Sequence, residues 1–388
     1  MRDTTLGQLL KQCSGSIKTG PFGTTLKAAE YSRTGVPVIS VGEVGYGRLR
    51  VGPGTPRVER SVTDRLQEYV LRAGDVVFGR KGAVDRSAWV QSVEDGYFLG
   101  SDGIRVRFGD EVDSRFMSYQ FRSATVRNWL TQHAAGSTMP SLNQGILERV
   151  PVTVPGLRQQ RAIAEVLGAL DDKIAANTNS VTIVEDLLTA SYAATVQDSP
   201  SEVTVAEIAH FHNRKRVPLS SRERESRPGS VPYYGATGVF GFVDEALFDE
   251  PLVLVGEDGS VVTAAGHPVV QYIWGPAWVN NHAHVLTGMG ISTELLKVAL
   301  SRTNVAPIVT GAVQPKISMG NLKRLPVLVP RPELRAGLEE KATHLTALVR
   351  SRTDEQKKLA ATRDALLPAL MSGKIRVKDA ERVVEEVV

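Results

Sequence analysis

Two stretches of twenty residues, 175 positions apart, restrict what this chain can fold into. Gly136-Ser-Thr-Met-Pro-Ser-Leu-Asn-Gln-Gly-Ile-Leu-Glu-Arg-Val-Pro-Val-Thr-Val-Pro155 aligns without a gap on Gly311-Ala-Val-Gln-Pro-Lys-Ile-Ser-Met-Gly-Asn-Leu-Lys-Arg-Leu-Pro-Val-Leu-Val-Pro330, with nine identities. Ordinary composition would give roughly one or two. A fixed-period match of this kind is the mark of a duplicated structural unit. Both copies end in Pro-Val-x-Val-Pro, which reads as a short edge strand bounded by prolines.

Each copy runs into a long helical pattern. Ile163, Leu167, Leu170, Ile174, Asn177, Val181, Val184 and Leu188 alternate steps of four and three, a heptad seam. Leu334, Leu338, Lys341, Leu345, Leu348, Arg352, Glu355, Leu359, Thr362 and Leu366 do the same, and Pro368 and Gly373 are expected to stop that helix. A shift of 178 lays Leu167 on Leu345, Leu170 on Leu348, Val181 on Leu359 and Leu188 on Leu366. Helices of about 35 residues, roughly 50 Å, must bury their stripes, and the nearest partner of each is the other, running antiparallel. A larger bundle is the competing arrangement.

The chain therefore reads as α+β: two β-rich units separated by two long antiparallel coiled-coil helices, with a pseudo-twofold internal repeat. The boundaries expected are 1–155 for the first unit, 156–196 for a central helix, 197–330 for the second unit, 331–377 for a C-terminal helix and 378–388 for a charged tail. Gln197-Asp198-Ser199-Pro200-Ser201 reads as a linker. A length of 388 residues, 42% of them apolar, suits several cores and excludes wholesale disorder. No apolar run approaches the roughly 20 residues of a membrane span, and no leader is expected at the N-terminus. The lone Cys13 points to a reducing cytoplasm. Net charge is +4, and residues 1–155 hold 20 Lys/Arg against 15 Asp/Glu, which favours a polyanionic partner.

Within the units, Val36–Val41, Asp75–Phe78 and Leu252–Val255 read as strands. Gly79-Arg-Lys-Gly82 and Gly256-Glu-Asp-Gly259 read as matched glycine turns. No phosphate loop and no serine-hydrolase order occurs in the sequence. Gly42-Glu-Val-Gly45-Tyr-Gly47 reads as turns rather than a dinucleotide fingerprint. Asp354-Glu-Gln-Lys357 reads as a solvated helix face. His210-Phe-His212 and His282-Ala-His284 could each place two rings on one face of a strand, as a metal site requires. What remains suits nucleic acid. Arg80 and Lys81 sit at a turn tip. Ser137, Thr138, Gln314 and Lys316 lie in the repeated loop. Arg214 and Lys215 form a basic run, while Tyr233, Tyr234, Thr237 and His282 lie in or near glycine-rich loops.

Several motifs together resemble the specificity subunit of type I restriction–modification enzymes. They are Thr19-Gly-Pro-Phe-Gly23 with Gly35-Val-Pro-Val-Ile39, Val231-Pro-Tyr-Tyr-Gly-Ala-Thr-Gly238, Asn281-His-Ala-His-Val-Leu286, Gln159-Gln-Arg-Ala-Ile-Ala164 and Leu366-Leu-Pro-Ala-Leu-Met-Ser-Gly-Lys-Ile375. The second helix opens with Arg331-Pro-Glu-Leu-Arg335 and departs from the Gln-Gln pattern of the first. The resemblance implies two target recognition domains, each reading half of a split double-stranded DNA site, and no catalysis by this chain. It implies two copies of a methyltransferase subunit using S-adenosylmethionine and a motor–nuclease subunit using ATP and Mg²⁺, so no cofactor is expected on this chain. Ile163, Leu167, Leu170, Ile174, Val181, Leu188, Leu338, Leu345, Leu348, Leu359 and Leu366 are expected at the helix interface. A metal-dependent hydrolase built on the His-x-His pairs and a protein-binding adaptor stay open on the residues alone.

Overall fold

In a computed structural model that describes residues 2–136, 138–311 and 313–387, the chain forms two compact units. Unit 1 comprises residues 1–176 and 355–388, and unit 2 comprises residues 177–354. The chain leaves unit 1 within the helix Leu157–Asp198 and returns within the helix Pro332–Met371.

Each unit repeats one sheet plan. In unit 1, Ser16–Thr19, Gly103–Arg107, Val76–Gly79 and Ser87–Trp89 form an antiparallel sheet in that order. Unit 2 matches it with Ala209–Phe211, Ala283–Gly288, Leu252–Gly256 and Val270–Ile273. Each unit has a second four-stranded sheet, and in each one strand pairs parallel: Val36–Ile39 with Phe98–Leu99, and Val231–Tyr234 with Pro276–Val279. The Pro-Val-x-Val segments form two-stranded antiparallel ribbons, Pro151–Val154 with Arg2–Thr5 and Pro326–Pro330 with Pro200–Thr204.

The identities of the repeat have physical causes. Val152 and Val154, like Val327 and Val329, alternate inward and are buried. Leu147 and Leu322 are fully buried on short helices, Gln144–Glu148 and Met319–Arg324. Asn143 and Ser318 cap those helices, accepting from the N–H of Ile146 at 2.8 Å and of Asn321 at 3.2 Å.

The long helices have 42 and 40 residues. Ile163, Leu167 and Leu170 are buried in the unit 1 core together with Leu359 and Leu366, and Ile174 is half-buried against it. In unit 2, Leu188, Leu338 and the half-buried Leu345 share a core with the sheet and the helix Thr293–Ser301. Val181 is half-buried. Within each unit, segments of both helices thus share the core with the sheet.

Several expectations need correction. Leu348 is 38% exposed, and Leu334 is also exposed. The buried line runs Leu338, Ala342, Thr346, two successive steps of four. That stutter swings the strict heptad position outward. Lys341 lies beside the seam and donates to Ser191 Oγ at 2.6 Å. Pro368 does not stop the second helix, which continues to Met371; so near the end, a missing N–H costs one bond. The run 354–357 is no solvated face, since Asp354 accepts from Trp274 Nε1 at 3.1 Å and Glu355 pairs with Lys173 at 3.5 Å. The linker at 197–201 shrinks to Ser199 between helix and strand, and the charged tail holds a helix, Val377–Glu385, that buries Ala380 and Val384.

A buried ion cluster ties both helices into unit 1. Asp171 accepts from Arg122 Nη1 at 2.6 Å, Arg363 Nη1 at 2.7 Å and Tyr119 Oη at 2.9 Å. Burial alone would push its carboxyl up, but Arg122 and Arg363 outweigh burial and hold it down at about 2, against an ordinary 3.8. Burial, then the Asp171 charge, push the Tyr119 hydroxyl up, so it stays a donor. Between these two pH values the unfolded chain binds more protons at Asp171 than the folded chain. The stabilisation is complete above about pH 4 and lost as pH falls through about 2. Asp171→Asn leaves the Arg122 guanidinium without a carboxylate and Arg363 with Asp364 alone. It should lower stability to denaturant at pH 7 by about 3–5 kcal/mol and flatten the acid limb of the stability profile.

Candidate nucleic-acid interface

Three loops that are remote in sequence converge in unit 1. The Gly82 N–H donates to Pro140 O and the Leu142 N–H to Arg80 O, both at 2.8 Å. The Arg80 N–H donates to Asp102 O at 2.8 Å, and Ala135 and Ser141 exchange a pair of bonds at 2.9 and 2.7 Å. Unit 2 repeats the pattern bond for bond. Gly259 N–H donates to Pro315 O at 3.0 Å, Ile317 to Glu257 O at 2.8 Å, and Glu257 to His282 O at 2.8 Å. Thr310 and Lys316 exchange bonds at 2.9 and 2.7 Å. Gly136 and Gly311 hold φ of +95° and +88°, where glycine is favoured, and a Cβ on either would collide with a backbone carbonyl, of Met139 or Gln314.

The frame is the same and the side chains on it differ. In unit 1, Lys81 is exposed and pairs with Asp102 at 3.1 Å. Arg80 is half-buried, donates to Ser101 O at 3.2 Å and lies 5.4 Å from the ring centre of Phe22. Thr138 is exposed beside them. Ser137 lies outside the described residues. In unit 2, Gln314 and Lys316 are exposed, and Lys316 Nζ stands 3.6 Å from Glu257 Oε1. His282 Nδ1 is 2.6 Å from Asp258 Oδ1. Arg214 and Lys215 are exposed on the turn Asn213–Lys215, and Thr237 is exposed near His282. Tyr234 is half-buried, and burial pushes its hydroxyl up.

Tyr233 is not a surface contact. It is buried, and its hydroxyl accepts from the Leu219 N–H at 2.9 Å, because the strand Val231–Tyr234 turns that side chain inward. The His-x-His pairs do not present two rings to one metal. His282 precedes the strand Ala283–Gly288, so alternation does not align it with His284. His284 is fully buried: its Nδ1 accepts from Asn213 Nδ2 at 2.9 Å and its Nε2 donates to Ile317 O at 2.8 Å. Burial keeps that imidazole neutral by holding its pKa below the usual range. His210 is exposed, while His212 is half-buried against Thr287 Oγ1 at 2.8 Å. Among the described residues no group of three or more His, Cys, Asp or Glu could hold a metal ion, and no helix is long and apolar enough to cross a membrane. Sequence reading missed the exposed Phe240 and Phe242; the only signal was their alternation about Gly241.

Residues 18–185 match the type I restriction modification DNA specificity domain. A protein of Haemophilus influenzae described as a type I restriction enzyme specificity subunit is 30% identical over 143 residues, 37% of this chain and 36% of that protein. The type I restriction enzyme MjaVIII specificity subunit of Methanocaldococcus jannaschii is 22% identical over 157 residues, 39% of this chain and 37% of that protein. The aligned region thus spans little more than a third of each relative. The crystal structure of the type I restriction–modification S subunit from M. genitalium has a TM-score of 0.59 and 19% identity, covering 95% of each chain. The chain thus shares the fold of that S subunit, with two β-rich units and two long helices.

The glycines of the repeated loop yield a test. Gly136→Ala and Gly311→Ala should each cost about 1–3 kcal/mol in chemical denaturation, whereas Gly320→Ala, with open space around a Cβ, should be near neutral.

Proposed function

We propose that this chain is the non-catalytic DNA-recognition subunit of a type I restriction–modification system, working in the cytoplasm. Each unit reads one half of a split double-stranded site through its loop frame, and the long helices set the distance between the halves. Two copies of a methyltransferase subunit, supplying S-adenosylmethionine chemistry, dock along the helices. A motor–nuclease subunit using ATP and Mg²⁺ completes the assembly.

One observation carries this reading: identical backbone bonding in two units that display unlike side chains. A duplicated frame with Lys81 and Thr138 on one copy, and Gln314 and Lys316 on the other, suits two readers of different sequence. Readers on stiff helices can address groove faces about one turn, roughly 34–36 Å, apart without touching the bases between. The two half-sites should therefore differ.

Sequencing of methylated bases in a host with and without the chain tests this. The expected result is one bipartite motif with unlike halves that depends on the chain. A short continuous palindrome, or no dependence, contradicts it. Inserting four residues within 170–185 should change the unread spacer and leave both halves intact; altered halves with an unchanged spacer would refute the role of the helices. Lys316→Ala should weaken binding to all duplexes alike and reduce the salt slope by about one. Gln314→Ala should instead relax one base position by about 1–3 kcal/mol.

A further inference from the structure

Unit 2 exposes an aromatic strip that the loop frame does not use. The edge strand Val239–Val243 pairs with Val231–Tyr234. Phe240 and Phe242, two positions apart on one face, are each 57% exposed, and Val239 is 46% exposed. Phenylalanine is among the residues most often fully buried, so two on one rim call for a partner. The Phe240 ring rests on Gly235, where a Cβ would stand 2.5 Å from Cε2. Gly235 is itself fixed by its N–H donating to Gly238 O at 2.8 Å. One face of the ring is thus supported by backbone, and the rest is open. Beside it lies a cleft of about 360 Å³ whose lining includes Thr237, Ser260, Asn281 and His282.

The surroundings select the kind of partner. Residues 213–227 hold six cations, of which Arg216 pairs with Glu257 at 2.7 Å and Arg227 with Asp244 and Glu245 at 2.9 and 2.8 Å, against the acids Glu223 and Glu225 within the segment. Arg214, Lys215 and Arg222 are exposed, and the helix Ser221–Glu225 packs on the aromatic strand. A cationic frame around an apolar strip matches duplex DNA, whose phosphates are charged and whose base stack is apolar. Unit 1 offers an independent parallel: Phe22, 59% exposed, beside the Arg80 guanidinium.

We infer that Phe240 is a wedge residue that enters a base step of the half-site held by unit 2 and unstacks it. This rests on the DNA-reading role above and adds the residue and the mode. Preorientation on Gly235 spares the ring the cost of ordering at binding. The inserted ring would kink the duplex there and make that step selective for sequences that unstack easily.

The test uses the full chain assembled with its methyltransferase partner and a duplex of the methylated motif, with 2-aminopurine placed in turn along the unit 2 half. Wild type should raise the fluorescence several-fold at one step. Phe240→Ala should abolish the rise and weaken binding on the order of tenfold, while Phe240→Trp keeps both. If no chain-dependent bipartite motif exists, the DNA-reading role itself fails. If the motif exists and is bound but no position brightens, or Phe240→Ala brightens as wild type does, the wedge is refuted and the role stands. If Phe240→Ala binds and brightens normally but loses the methyltransferase subunit, the strip is a protein-docking surface and the wedge is again refuted. Should Phe240→Ala melt early, Phe240→Gln replaces it, which keeps length without an apolar wedge; brightening equal to wild type would overturn the proposal.

Discussion

The structure depends on a small set of backbone hydrogen bonds that join three loops into one rigid tip. In each unit a glycine turn, a second turn and the repeated loop share N–H and carbonyl groups at 2.7–3.0 Å. Because main-chain atoms make these bonds, they do not constrain the side chains displayed there. Gly136 and Gly311 bend the chain, and Pro140 and Pro315 accept. A frame built this way can be copied and then made to read something else, since specificity resides in side chains and geometry in the backbone.

The long helices solve a different problem. Each contributes buried residues to the cores of both units. Asp171 joins the first helix to Arg363 on the second and to Arg122 and Tyr119 of the domain. A buried carboxylate facing two guanidinium groups is a poor source of net stability compared with apolar packing, but it resists a change of register: a one-residue slip would leave Asp171 and Arg122 unpaired and Arg363 with Asp364 alone. Apolar contacts supply the burial and the ion cluster specifies the alignment.

Much of this was legible from spacing alone. The offset of 175 located both frames, and the steps of four and three located both helices. Leu147 matches Leu322 and Val152 matches Val327 at the same offset, and all four are buried. What escaped notice was set by contacts remote in sequence. Leu348 continues the heptad on paper, yet the stutter through Ala342 and Thr346 turns it outward. Tyr233 and Tyr234 are equivalent in composition; only pairing with the strands Val239–Val243 and Pro276–Val279 decides which faces inward. His284 looks like a metal ligand beside His282 until Asn213, 71 positions away, takes its Nδ1. Phe240 and Phe242 alternate about Gly241, but nothing local to them says that their strand is an edge.

The central claim is that two copies of one frame read two different half-sites. The most direct measurement is the methylated motif of a chain in which residues 200–330 are replaced by residues 2–155. Two identical readers related by the internal repeat should convert the motif into an inverted repeat of the half-site belonging to unit 1. If the replaced chain folds and still directs methylation at the original unlike halves, the frames are not the readers and the account is wrong.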